Sequence, residues 1–195
     1  MKILALIGLS GCGKTLISDI LQRNYPDFLS NEIIKDLERI PRFSRYTTST
    51  SRKPRENEQN GIDYYFYSKE VFEDKIKNND FYEYAKVYDN YYGLSKEEVE
   101  SKSKELNPIV LIMDPQGIET IRQSQEVIRV YVDISLKTMQ ERLKKRGESE
   151  ETLKIRMRKL NYFLEYRNQC EYVIDGNKDI NLVIYDLIKI IKQLK

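Results

Sequence analysis

The 195-residue chain contains no histidine. Imidazole general bases are therefore excluded, and most zinc sites with them. Cysteine is almost as scarce. Cys12 and Cys170 are the two present, too few for a disulfide framework and suggestive of a reducing compartment. No apolar run approaches the ~20 residues of a membrane span. Charge of one sign is also lacking. Lys and Arg number 33 against 31 Asp and Glu, a net +2. With no bulk field, neither nucleic acid nor membrane is expected as a partner, and any basic site must be local. Residues 1–9 hold one lysine and a short apolar run, which reads as a core strand and not as a signal peptide. The expectation is a soluble, cytoplasmic chain. Hydrophobic residues make up 40%, enough for the core of one domain with inserted lobes. No repeat or low-complexity linker interrupts it.

What is present is concentrated in Gly8-Leu9-Ser10-Gly11-Cys12-Gly13-Lys14-Thr15. This stretch fits G-x-x-x-x-G-K-[ST], the P-loop. Ile3 to Ile7 before it reads as a buried parallel strand. Thr15 to Asn24 after it reads as a helix with Leu16, Ile17, Ile20 and Leu21 on one face, stopped by Tyr25-Pro26-Asp27. Strand, glycine loop and helix in that order are the context the motif requires. The loop's N–H groups can converge on phosphate oxygens, aided by the helix N-terminus. Lys14 reaches the β- and γ-phosphates, and the Thr15 hydroxyl can ligate Mg²⁺. Gly8, Ser10, Gly11, Cys12, Gly13, Lys14 and Thr15 are the residues expected to bind a nucleoside triphosphate, ATP by the resemblance given below. Cys12, beside Lys14 and a helix N-terminus, is expected to be a reactive thiol shielded by bound ATP.

Further along, Ile33, Ile34, Leu37 and Ile40 have helical spacing up to Pro41, a packing element with no evident chemistry. Thr47 to Arg55 crowds hydroxyls and basic residues together. Pro54 favours an extended segment in which Arg52 and Arg55 are able to clamp a phosphate with two guanidinium forks. A helix is expected over 69–79 with Val71, Phe72 and Ile76 inward, then a strand over 81–88 and a turn at Asn90-Tyr91-Tyr92-Gly93. Many of the chain's 15 tyrosines lie here; they suit base stacking and strand formation equally. Ile109 to Met113 reads as a second buried strand ending at Asp114, where ligands gather in parallel sheets. Ile128 to Ile134 is a third, with Val130 and Val132 alternating against Arg129 and Tyr131. A helix over 136–145 follows, then Ser149 as the N-cap of another, a short strand at Tyr172 to Ile174, and a closing helix over 180–194.

Thr48, Arg52-Lys53-Pro54-Arg55, Gly61, Asp63-Tyr64, Glu83, Asn90-Tyr91-Tyr92-Gly93 and Asp114-Pro115-Gln116-Gly117, behind a P-loop, resemble guanylate kinase over residues 3 to about 175. The resemblance implies a five-stranded parallel P-loop core flanked by helices, a small GMP-binding lobe and a mobile lid bearing arginines. By that resemblance the core is 1–46, 99–140 and 157–195, the lobe 47–98 and the lid 141–156. Arg52, Arg55, Tyr64 and Tyr92 would hold the GMP phosphate. Thr48, Glu83 and Asp114 would read guanine, with Gly93 beside them. Arg142, Arg146 and Arg156 match the lid arginines and, with Lys14, would be catalytic, neutralising the transferring phosphoryl group. The chemistry of Glu83 supports the transfer. An ionised carboxylate accepts only, so it takes both guanine donors, N1–H and the 2-amino group, and repels the N1 acceptor of adenine.

Four departures from the family pattern stand out. Leu94 replaces a serine or threonine whose hydroxyl touches guanine. Ile112 replaces an aspartate two positions before Asp114, nearest to a Walker-B residue. The lid looks shorter, and the segment before Thr47 longer. The implied activity is Mg²⁺-dependent phosphoryl transfer from ATP to GMP or dGMP. A kinase for another nucleoside monophosphate, or a non-catalytic module of the same fold, are the alternatives.

Overall fold

The computed structural model describes residues 3–56, 58–87 and 89–194. In chain order the elements are β1 (Ile3–Ile7), α1 (Lys14–Leu21), α2 (Asn31–Glu38), β2 (Ser44–Arg45), β3 (Ser49–Thr50), β4 (Tyr65–Phe66), α3 (Lys69–Lys77), β5 (Phe81–Val87), β6 (Asn90–Ser95), α4 (Lys96–Ser103), β7 (Ile109–Ile112), α5 (Pro115–Arg122), β8 (Val127–Asp133), α6 (Leu136–Lys145), α7 (Glu150–Met157), α8 (Leu160–Arg167), β9 (Tyr172–Asp175) and α9 (Ile180–Gln193).

Five strands form one sheet in the order β2-β7-β1-β8-β9, and every pairing in it is parallel. Side chains alternate across it. Leu4 and Leu6 of β1, Val110 of β7, and Val130 and Val132 of β8 face one core. Ile3, Ala5 and Ile7, Ile109 and Leu111, and Tyr131 face the other. Helices cover both faces, as an all-parallel sheet requires, so its strands are apolar throughout. The expected inward–outward alternation of β8 is therefore corrected. Arg129 and Tyr131 are buried along with Val130 and Val132. Arg129 is accommodated there by ion pairs to Glu119 and to Glu171, as a buried cation must be.

The helices start where the sequence supplies oxygen caps. Ser30, Ser68, Ser95, Ser135 and Ser149, with Asp114 and Asp179, each accept a backbone N–H of the following first turn. The helix after the P-loop is shorter than expected. It ends at Leu21, and Arg23 takes a left-handed conformation at φ 73°, which breaks the hydrogen-bond ladder before Tyr25.

A second, mixed sheet has the order β4-β3-β6-β5. Here the turn expected at Asn90-Tyr91-Tyr92-Gly93 is replaced by strand β6, paired antiparallel to β5 with Val87 opposite Asn90. The reversal lies before Asn90; Tyr88, expected to end β5, is outside the described residues. Strand geometry sends successive side chains to opposite faces, and this separates the two tyrosines. Tyr91 stacks on Phe72 of α3 at 5.4 Å, while Tyr92 meets Tyr64 edge-on at 6.2 Å. In α3 only Phe72 is buried. Val71, expected inward, is 46% exposed, because one ring stacked on Phe81 and Tyr91 is all the helix needs to dock.

Candidate active site

At the carboxyl end of β1 the chain turns through the glycine loop into α1. Gly8 has φ 145°, and a Cβ there would lie 2.4 Å from the carbonyl oxygen of Val132, so only glycine lets the loop pass this close to β8. Gly13 caps α1 with no side-chain hydrogen bond, unlike the serine-capped helices. The first-turn N–H groups of α1 are thus free of a side-chain cap, the arrangement in which a helix N-terminus binds anions. The Lys14 ammonium folds back over the loop. It donates to the carbonyls of Gly8 at 2.8 Å and Leu9 at 3.1 Å and to Cys12 Sγ at 3.3 Å. Cys12 is 2% exposed, so a thiol expected to be reactive is walled off from bulk reagents.

A cavity of about 400 Å³ opens over this loop. Ser10 to Ile17 form its floor, and Arg52, Arg55, Tyr64, Tyr92, Arg142, Arg146 and Arg156 stand around it. The arginines come from three places, and each is held differently. Arg52 pairs bidentately with Glu58 at 2.8 and 2.9 Å and lies over the Tyr64 ring at 5.5 Å. Arg55 binds the same carboxylate from its backbone N–H at 2.8 Å and its guanidinium at 3.2 Å. Burial pushes the Glu58 carboxyl up, but hydrogen bonds from Arg52 and from the Arg55 backbone, with both positive charges, outweigh it and hold it below the usual range. Arg142, on α6, donates to the carbonyls of Gly11 at 3.1 Å and Gly176 at 3.0 Å. Arg156, on α7, donates to Ser10 Oγ at 2.6 Å and to Glu148. The exposed Arg146 guanidinium has no hydrogen bond or ion pair among the described residues.

A smaller cavity of about 150 Å³ adjoins the first through Ser10, Lys14, Tyr64, Tyr92 and Ile112. Gly8, Thr48, Glu83, Gly93 and Asp114 line it. Glu83 is 6% exposed, and its carboxylate has no hydrogen-bond partner among the described residues. Burial, with the Asp114 carboxylate nearby, raises it to about 7. Gly117 makes room for it, since a Cβ there would lie 2.8 Å from Glu83 Oε2 and 2.3 Å from Met113 Sδ. Asp114 caps α5 through the Gln116 N–H at 3.2 Å and pairs with Lys159 at 3.4 Å. The phenol of Tyr64, in the wall between the cavities, is raised by burial and then by Tyr92.

Every residue proposed from the sequence thus borders one of two connected cavities. Ile112 borders both, so the β7 position where the family carries an aspartate does face the site. Leu94 does not line either cavity. It is paired with Glu83 in register but 1% exposed, packed in the core beneath the second sheet. Sequence reasoning missed Glu58 and Glu148, the carboxylates that hold the arginines. Glu58 sits three residues after Arg55, a spacing that offers a signal. Glu148 has none, because its partners are 8 and 93 residues away.

A parallel sheet with an anion cradle after its central strand, and arginines from three segments converging on that cradle, define a P-loop α/β protein built to hold phosphate groups. The guanylate kinase family model matches residues 1–194. The chain is 40% identical over 148 residues to a guanylate kinase of Fusobacterium nucleatum, covering 74% of this chain and 80% of that one. It is 39% identical over 149 residues to one from Clostridium tetani, covering 75% and 72%. The crystal structure of guanylate kinase from Anaplasma phagocytophilum superposes with a TM-score of 0.65 at 19% identity, covering 100% of this chain and 85% of that one, a likeness of fold. The chain belongs to the guanylate kinase family.

Proposed function

We propose that the protein transfers the γ-phosphoryl group of ATP to GMP or dGMP. The observation that carries this reading is the continuity of the two cavities, a cationic one over the P-loop and a small one that ends on a buried, unpartnered carboxylate. ATP phosphates lie along the loop and the first turn of α1. Lys14 leaves the loop carbonyls for the β- and γ-phosphates. Arg52, Arg55, Tyr64 and Tyr92 take the acceptor phosphate. Thr48, Glu83 and Asp114, with Gly93 alongside, take the guanine. Glu83 is short of donors, and guanine brings two side by side. Arg142, Arg146 and Arg156 neutralise charge on the group in flight. Catalysis is then positioning and charge stabilisation, with no protein nucleophile.

Among the described residues no cluster of three acidic or thiol groups is placed to hold a metal ion. A lone hydroxyl such as that of Thr15 suits magnesium, which takes most of its ligands from phosphate and water. Thr15, which lines the cavity, would supply one hard oxygen, and the bound ion would neutralise phosphate charge.

The division of labour in the chain follows: a core of 1–46, 99–140 and 157–195, a monophosphate lobe of 47–98 and a lid of 141–156. Both cysteines are free, in keeping with a cytoplasmic setting. No helix among the described residues is long and apolar enough to cross a membrane. The test is ADP release from ATP with GMP, dGMP, AMP, UMP and CMP in turn. Preference for GMP and dGMP is expected, and a preference for any other base overturns the reading.

A further inference from the structure

The phosphate cavity is walled by cations, and among its described lining residues Glu148 carries the only carboxylate. A negative charge in a site for phosphates is costly unless it is employed, and here it is. Glu148 Oε2 accepts from Arg156 Nε at 2.6 Å and Oε1 from Arg156 Nη2 at 2.8 Å. The remaining nitrogen, Nη1, donates to Ser10 Oγ in the phosphate loop at 2.6 Å. A guanidinium is planar and rigid, so fixing two nitrogens sets the direction of the third. Helix α7 docks through half-buried Leu153 and Met157, which sets the backbone at Arg156 but leaves the direction of its long side chain to be fixed by Glu148. Glu148 is better anchored. Its side chain is 11% exposed, and it sits in the tight turn between α6 and the Ser149 cap of α7, after Gly147 at φ 74°. Its Oε1 also lies 3.4 Å from Arg55 Nη2, across the cavity from the loop.

We propose that Glu148 is a positioning residue for phosphoryl transfer, which holds Arg156 with Nη1 aimed at the phosphate loop. The proposal rests on the kinase reading above. An arginine aimed in advance pays no reorganisation as charge develops on the transferring group. An arginine side chain free to change rotamer would have to find that geometry in each turnover. The effect belongs to the chemical step more than to substrate binding.

The test is a kinetic double-mutant cycle with Glu148→Gln, Glu148→Asp, Arg156→Ala and the double variant Glu148→Gln/Arg156→Ala. Glu148→Gln should lower kcat ~10- to 100-fold, the cost of a misplaced group. KM for ATP and GMP should change by less than about threefold. Glu148→Asp should recover part of the loss. The double variant should be at most about twofold slower in kcat than Arg156→Ala alone, since the carboxylate holds Arg156 through two short bonds and touches Arg55 through one long one. Additive losses overturn the proposal. A faster Glu148→Gln enzyme also overturns it, by showing that the carboxylate obstructs phosphate. A readout independent of turnover is the NMR signal of Arg156 Nε–H, which should be protected from exchange in the wild type and lose protection in Glu148→Gln. Unchanged protection counts against the pairing. A wild type inactive on GMP would sink the kinase reading while the NMR comparison still judges Glu148.

Discussion

The two cavities hold their charges in opposite ways. Around the phosphate cavity, which Glu148 lines and whose Arg52 and Arg55 are bound by Glu58, the carboxylates are committed. Glu58 and Glu148 each bind arginines through both oxygens, and Glu58 is held below its usual range. In the base cavity Glu83 is buried without a donor and is pushed up to about 7. In the first region Arg52, Arg55 and Arg156 are aligned by internal anions before any ligand arrives, while Lys14 and Arg142 rest on backbone carbonyls. In the second, the Glu83 carboxylate faces the cavity with no protein donor among the described residues. The difference teaches where affinity and selectivity come from. Charge already arranged favours any phosphate, whereas an unsatisfied buried acceptor favours only a base that brings the missing donors.

The largest break in this comparison is Lys14→Ala. It removes the one cation held inside the glycine loop itself and should lower kcat by at least ~10²- to 10³-fold, with the circular dichroism spectrum unchanged. Near-normal turnover by a folded variant would remove the loop from the chemistry. Next comes Glu83→Gln, which strikes the base cavity alone. One guanine donor would then face an amide NH₂, and the charge that strengthened both bonds is gone. We expect kcat/KM for GMP to fall ~100-fold while the KM for ATP stays within about twofold. Equal losses for both substrates would merge the two regions into one.

Arg52→Ala and Arg55→Ala sharpen the comparison from the phosphate side. Each should raise the KM for GMP ~10-fold, the loss of one charge-assisted contact, and leave the KM for ATP nearly unchanged. Arg52 should matter more, because its side chain is 17% exposed against 48% for Arg55. A matching rise for ATP would move these arginines to the donor.

The smallest effect is set by pH. Guanine requires the ionised Glu83, so the KM for GMP should rise by up to tenfold per unit as pH falls below about 7. The effect on stability has the opposite sense. The folded protein holds this proton more tightly than the unfolded chain, whose glutamates titrate near 4.5. The stability it contributes is fully present below that value and is lost as pH rises through about 7. Glu83→Gln should flatten both profiles. A KM for GMP that is level from pH 6 to 8 in the wild type would show that the carboxylate is ionised before the base arrives.

Local chemistry made part of this legible. The P-loop announces itself, because close backbone approach demands glycine and phosphate demands Lys14 and Thr15 at fixed offsets. Ser149 was readable as a cap because a hydroxyl followed by Glu150 and Glu151 suits a helix start. The apolar runs at Ile3 to Ile7 and Ile109 to Met113 gave the buried strands. Other features were not readable. Asn90-Tyr91-Tyr92-Gly93 looks like a turn by composition, and only pairing with β5 makes it a strand that parts Tyr91 from Tyr92. Val71 reads as inward beside Phe72, yet adjacent helical residues point about 100° apart, so docking α3 through the Phe72 ring turns the valine toward solvent.

The sequence by itself determined the elements whose causes lie within a few residues: the phosphate loop, the buried strands of the parallel sheet and the capped helices. Its motif set also determined the family. Tertiary structure alone decided which charges are satisfied. Arg129 is tolerated in a fully covered strand because Glu119 and Glu171 arrive from other elements. Leu94 is core and not cavity because it packs with Ile109, Leu111 and Ile118, contributed by other elements. Glu83 is left unpartnered while Glu148 finds Arg156 and Arg55. Burial and long-range pairing depend on where distant segments meet, and electrostatic energy varies with that distance and local dielectric, quantities that no local pattern in a chain encodes.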